Sequence, residues 1–189
     1  MGNVCRFFEK KRRKKLFKPI YGTGSQKNRE ETAMRRKDRE VTDPAKIRQI
    51  IQASDCCRLG LWDGGRVYIV PLSFGYEEVE GKRIFYFHSA AEGRKIDLIG
   101  AGASVGFELD THYKLNEAPE AAGYSARFQS VIGTGQIRRV ENPEQKIHAL
   151  ECLMEHYTGK TGWEYPAQMV NETAILMLEV EELACKEHE

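Results

Sequence analysis

No stretch of this 189-residue sequence approaches the roughly 18 consecutive apolar residues that a membrane-spanning helix requires. The first residues also lack the apolar core and small-residue cleavage site of a secretory leader, so a cytoplasmic protein is expected. The five cysteines, Cys5, Cys56, Cys57, Cys152 and Cys185, are odd in number and include no CxxC pair. That argues against a disulfide framework or a zinc ribbon and for reduced thiols. HExxH and Walker-type phosphate loops are missing, and hydrolase and nucleoside-triphosphatase readings are set aside. Asp110 and His112 stand close enough to pair, but no nucleophile for them to serve is evident.

What charge there is, is unevenly spread. Of 29 Lys/Arg and 28 Asp/Glu, residues 1–40 hold 14 and 5, and the remainder 15 and 23. The acidic main body is a poor nucleic-acid surface. The segment from Met1 to about Ala33, with "EKKRRKKLFKP" and "GTGSQKNREE", has no helical or strand periodicity and is expected to be a disordered extension. A localisation signal, contact with nucleic acid or anionic lipid, and a merely solvated tail are the readings open to it. "MGNVCR" is no myristoylation signal, because Arg6 stands where Ser or Thr is wanted.

The other 156 or so residues, about 34–189, suffice for one domain with a full core. "TDPAKIRQIIQAS" predicts a helix over about 44–53, with Asp43 as N-cap, Pro44 in the first position, and Ile47, Ile50 and Ile51 on one face. "CCRLGLW", the turn "DGG" and "RVYIVPLSFGYE" predict a hairpin in which Pro71 marks an edge or a bulge. "RIFYFHS" gives a third strand, "GRKIDLI" a short helix ending at glycines, and "ASVGFELD" a fourth strand. "THYKLNEAPEAAG" reads as a long connection, and "YSARFQSVIGTGQIRRV" as a long strand bent at Gly133 and Gly135. In "NPEQKIHALECLMEHYTG", Asn142 caps a helix that buries Ile147, Leu150, Met154 and Tyr157. "ETAILMLEVEEL" supplies the last strand. Six strands with few helices suggest a mainly β fold, a closed or partly closed antiparallel barrel.

One stretch points to chemistry. "FYFHSAAEGRK" (85–95) ends an aromatic strand in His88-Ser89 and then presents Gly93-Arg94-Lys95. A guanidinium able to donate two parallel bonds, an adjacent ammonium, a hydroxyl and a glycine are what a phosphate monoester needs. The amides opening the following short helix could face the same anion. Spacing alone does not name the ligand.

The ordered combination of "PLSFGYE", "FHSAAEGRK" and "SVIGTG" resembles the pyridoxamine 5′-phosphate oxidase-like superfamily, and within it the nitroimidazole-resistance flavoproteins. The likeness runs from about Met34, where such chains usually begin, to Cys185. It implies a six-stranded split β-barrel that forms a homodimer, with FMN in each of two interface clefts. By this resemblance Ser89, Arg94 and Lys95 would hold the FMN phosphate, and Val70, Pro71 and Leu72 would line the flavin ring, partly through the main chain. Phe87 and His88 would lie beside the ring, Gln129 and Ser130 would complete the site, and Arg58 and Leu59 would contribute from the first strand. His88 is the implied catalytic residue, supplying a proton to a small aromatic, nitro-bearing substrate or orienting it, since an imidazole exchanges protons near neutral pH. The implied activity is FMN-dependent reduction with electrons from a reduced nicotinamide or another donor; the rival is a flavin- or haem-binding module without turnover. The extra basic residues with which pyridoxamine phosphate oxidases hold their substrate's phosphate have no equivalent in the C-terminal third, which demotes vitamin B6 oxidation. Trp163 and Tyr165 are open to two readings, a cover over a flat ligand or ordinary packing.

His148, Cys152 and His156 recur at i, i+4 and i+8. Adjacent members could pinch a zinc or copper ion, but three ligands along a straight helix converge poorly on one, and no further ligand is evident from sequence. The stripe is read as boundary residues, with no metal expected.

Overall fold

A computed structural model describes residues 36–188; the expected disordered extension lies outside the described residues. Helix α1 (Pro44–Gln52) begins where the sequence places it. The Asp43 carboxylate accepts from the Ala45 amide at 3.1 Å, and Ile47, Ile50 and Ile51 are buried. Strands β1 (Cys57–Asp63) and β2 (Arg66–Leu72) form the expected hairpin. Its two-residue turn, Gly64-Gly65, has φ of 57° and 136°, a conformation open to glycine.

The run expected to be one strand breaks at Ser73. Residues beyond it form β3 (Phe74–Val79), which pairs with β4 (Lys82–Ala90) instead of β1. Seven strands therefore replace the expected six. The others are β5 (Ala103–Asn116), β6 (Ser125–Val140) and β7 (Thr173–His188), and the order across the antiparallel sheet is β2-β1-β5-β6-β7-β4-β3. Because β2 and β3 are consecutive in the chain yet stand at opposite margins of the sheet, the sheet must curl until its margins meet at Ser73. That makes a split barrel.

Alternation along each strand turns Leu59, Leu61, Phe85, Phe87, Phe107, Leu109, Ile137, Leu176 and Leu178 into the barrel, where they pack with α1 and with Ile96 and Ile99 of α2 (Arg94–Ile99). Gly133 and Gly135 admit no side chain, since a Cβ would stand 2.3 Å from the Glu182 carbonyl and 2.2 Å from that of Glu179 respectively. The expected irregularity falls there, as a register shift between Thr134 and Gly135. The "long connection" is mostly strand. β5 continues to Asn116 after a bulge at which His112 takes φ 54°, leaving a short loop before β6. The GASVG run at 102–106 has the spacing of a hydrolase nucleophile turn, but its Ser104 lies in β5 opposite Gln136, not at a strand-to-helix turn.

Helix α3 (Pro143–Thr158) is capped by Asn142, whose side chain accepts from the Gln145 amide at 3.0 Å. Its buried face is turned from the expected one: Lys146, Ala149, Leu150 and Leu153 are inside, while Ile147 and Tyr157 are exposed. Lys146 is the reason sequence misled. Its Nζ donates to the carbonyls of Val170 (3.1 Å) and Thr173 (2.9 Å), around α4 (Ala167–Glu172), so the stem packs while the ammonium caps a helix end. With α4, α3 covers the outer side of β3, β4 and β7 through Ile84, Tyr86, Val140 and Ile175. On the other half of the sheet Trp62, Val67, Ile69 and Ile132 are at least half exposed. Among the described residues no helix is long and apolar enough to cross a membrane.

Candidate cofactor-binding site

β4 ends at Ala90, and the chain turns through Gly93, whose φ of 120° suits only glycine, into α2. The turn carries Arg94 against the tip of the β1–β2 hairpin. Its guanidinium pairs with the Asp63 carboxylate and lies 4.5 Å from the centroid of the Tyr68 ring. Arg94 beside Asp63 holds that carboxyl below its usual range. Lys95, half-buried, follows it. Ser89 is buried, and its hydroxyl donates to the Ala90 carbonyl at 2.9 Å. In this chain a carboxylate from the hairpin meets the Arg94 guanidinium, while Ser89 and Lys95 lie on the flanking strand end and helix start.

The cluster adjoins β2. Tyr68, Val70 and Leu72 lie on one side of that strand, half-buried, and Pro71 lies on the other, exposed. β2 is a sheet margin, with β1 as its partner on one side only. Its other edge offers main-chain donors and acceptors, which flat polar rings recognise.

The remaining expected residues separate into groups. Arg58, Pro71 and Ser130 are on the outer face, where Pro71 faces Arg58 across the ladder and Arg58 bridges Glu108 (2.8 Å) and Asp110, the latter opposite Ser130. Leu59 and Phe87 have no exposed surface and belong to the core, so only their main chain could reach a ligand. His88 is exposed and projects to the side of β4 opposite Phe87 and Ser89. The Gln129 side-chain oxygen accepts from His112 Nδ1 at 2.8 Å, and its amide nitrogen donates to Glu187. It sits far along the sheet from the cation cluster. Ser89 pairs with Ala174, next to the Ile175–Val140 pair at the end of β6, whereas Gln129 lies near the start of that strand, roughly 35 Å of extended chain away.

Sequence missed Asp63 and Tyr68, whose only local signal was a glycine turn. Of the two aromatics in "TGWEYP", Tyr165 packs against the outer apolar cluster. Glu151 holds that loop by accepting from the Gly162 (2.9 Å) and Trp163 (3.0 Å) amides, a packing arrangement. Concavities of about 340 and 300 Å³ lie elsewhere, one lined by Arg39, Glu187 and His188, the other by Gly102, Arg138 and Met177.

The model of the pyridoxamine 5′-phosphate oxidase family matches residues 43–187. A candidate 5-nitroimidazole antibiotic resistance protein from Bacteroides thetaiotaomicron is 31% identical, over 78% of this chain and 86% of that one, with a TM-score of 0.67. A flavocytochrome from Azotobacter vinelandii (19% identical; 82% and 72% covered; TM-score 0.67) and an FAD and heme binding protein from Mycobacterium smegmatis (15%; 80% and 74%; 0.68) share the fold. No curated protein matches the chain. With nearly all of the described barrel inside the matched region, this chain belongs to the pyridoxamine 5′-phosphate oxidase family.

Proposed function

We propose that this chain binds FMN between two copies of itself, in the cytoplasm, and uses it to reduce a small aromatic acceptor such as a nitroimidazole. The observation that carries the reading is continuity. Arg94 rests on Tyr68, two residues from Val70 on an open strand edge, so a charged end and a flat apolar body of one ligand would find neighbouring surfaces. The 31% identical relative's description as a resistance protein for 5-nitroimidazoles supports the choice of acceptor. Bound flavin would supply the electron transfer.

The chain's own residues have separable tasks. A phosphate monoester carries nearly two charges near neutral pH and competes with the single charge of Asp63 for Arg94. Lys95 adds a second cation, and the Ser89 hydroxyl would turn from the Ala90 carbonyl. Val70, Pro71 and Leu72 present the edge of β2 to the ring. Gln129 and Ser130, at the far end of β6, would reach the ring from the second copy. The uncovered apolar face bearing Trp62, Val67 and Ile69 supports that pairing, because a monomer seldom leaves such a patch to water. His88, exposed to solvent, would pass a proton to the reduced acceptor.

The absorption spectrum of the purified protein tests the cofactor. Flavin bands that disappear in the Arg94→Ala/Lys95→Ala variant are expected, with bleaching by NADH or NADPH under anaerobic conditions and reoxidation by a nitroimidazole. Colourless protein that takes up no FMN overturns the reading, and an intense Soret band would replace it with haem binding.

A further inference from the structure

We propose that Glu77, His148 and Cys152 form a binding site for a divalent transition-metal ion of the zinc class. The site is built from elements that the flavin reading does not use, β3 and the flank of α3 that meets it, and it does not rest on that reading.

The geometry begins at Gly75. A Cβ there would stand 2.6 Å from both the Cys152 carbonyl carbon and the Leu153 amide nitrogen, so α3 lies directly on the backbone of β3. One helical turn separates His148 from Cys152 and sets both side chains on one stripe. Two residues along β3 from Gly75, and on the same face, Glu77 projects toward that stripe. His148 Nε2 is 3.0 Å from Glu77 Oε2 and 3.7 Å from Cys152 Sγ, and one ligand atom from each of the three lies within 4.8 Å of the others. Zinc bond lengths of about 2.0–2.3 Å put the ligands of a tetrahedral ion roughly 3.3–3.8 Å apart, so the three atoms span the required triangle after small side-chain rotations.

Two further features suit a metal. Tyr86 donates its hydroxyl to Glu77 Oε1 at 2.7 Å, leaving Oε2 directed at the site, the arrangement by which an outer residue orients a ligating carboxylate. A carboxylate and a thiolate cancel the two charges of the ion, and imidazole is neutral when it ligates. The mixed O, N and S set excludes magnesium and calcium, which prefer oxygen alone, and fits zinc. His148 is more than half exposed, leaving the fourth position to water or an incoming ligand. His156, which sequence groups with the other two, is engaged elsewhere. Its Nε2 lies 2.9 Å from the Ser54 carbonyl and its ring 4.3 Å from that of Phe74.

The test uses the full-length protein after chelator treatment, titrated with Co²⁺ by difference absorption and with Zn²⁺ by calorimetry. We expect one equivalent per chain, a near-ultraviolet sulfur-to-cobalt charge-transfer band with visible bands of a tetrahedral ion, and displacement by Zn²⁺. Cys152→Ser should lose the charge-transfer band, and Glu77→Gln should keep it while weakening binding at least tenfold. Circular dichroism confirms that each variant is folded; a variant that is not is replaced by His148→Gln, for which at least tenfold weakening is again expected. Absence of the charge-transfer band in the parent protein, or an unchanged band and affinity in Cys152→Ser, overturns the proposal, since ions would then be bound by another thiol or not at all.

Discussion

Replacing Gly75 by alanine tests the packing that joins α3 to the sheet. The added Cβ would meet two backbone atoms at 2.6 Å and the Cys152 Cβ at 2.8 Å, against ordinary contact near 3.4 Å. Backbone atoms cannot rotate aside, so α3 must lift by about 0.8 Å along its contact with β3, loosening Leu150 and Leu153 from Ile84 and Tyr86. Forced overpacking of this kind costs about 2–3 kcal/mol. For a domain of this size that lowers the melting temperature by roughly 4–12 °C. Gly60→Ala is the internal control, because its Cβ would meet only Val67 Cγ1 at 3.6 Å and the Gly106 carbonyl at 3.7 Å. Melting followed by far-ultraviolet circular dichroism compares the two. If Gly75→Ala melts within a degree or two of Gly60→Ala, the close approach of helix and strand is wrong.

Burial lowers the His156 pKa, so the unfolded chain binds the proton more readily than the folded one. The resulting stability is complete above the unfolded value, about 6.5, and is lost as pH falls through the lower folded value; His156→Gln should flatten that part of a denaturation-midpoint profile, and an unchanged slope would refute the assignment. Lys146→Met keeps the stem but strands the Val170 and Thr173 carbonyls, and should cost about 2–3 kcal/mol in urea unfolding; a loss below about 0.5 kcal/mol would show that water replaces the ammonium freely. Asp63→Asn removes the carboxylate that competes for Arg94 and should tighten FMN binding several-fold by fluorescence titration, whereas weaker binding would mean that Asp63 positions the guanidinium for the phosphate.

The features legible in the sequence were those written locally. Asp43-Pro44 and Asn142-Pro143 announce two helix starts because the caps are made within three residues. The Gly133–Gly135 bulge shows itself as glycines inside a strand pattern. The break at Ser73 was illegible, because an apolar run looks the same whether its halves pair with one neighbour or with two at opposite margins. The buried Lys146 contradicts the usual rank of side chains, and only the carbonyls gathered by α4 explain it. Gly93-Arg94-Lys95 was recognisable as a cation cluster. Its companions Asp63 and Tyr68 are set beside it by the curl of the sheet alone. The i, i+4 pair on α3 was likewise visible, but Glu77 comes from a different strand more than 70 residues earlier in the chain.

Pro71 now takes on a second meaning. A bare strand margin invites another chain to dock edge to edge and seed insoluble aggregates, and β2 is such a margin. A residue without an amide hydrogen interrupts any intruding ladder, while the main-chain groups of Val70 and Leu72, directed to the other side of the strand, face Leu59 and Cys57 of β1. One imino acid thereby makes this margin a poorer template for a foreign strand.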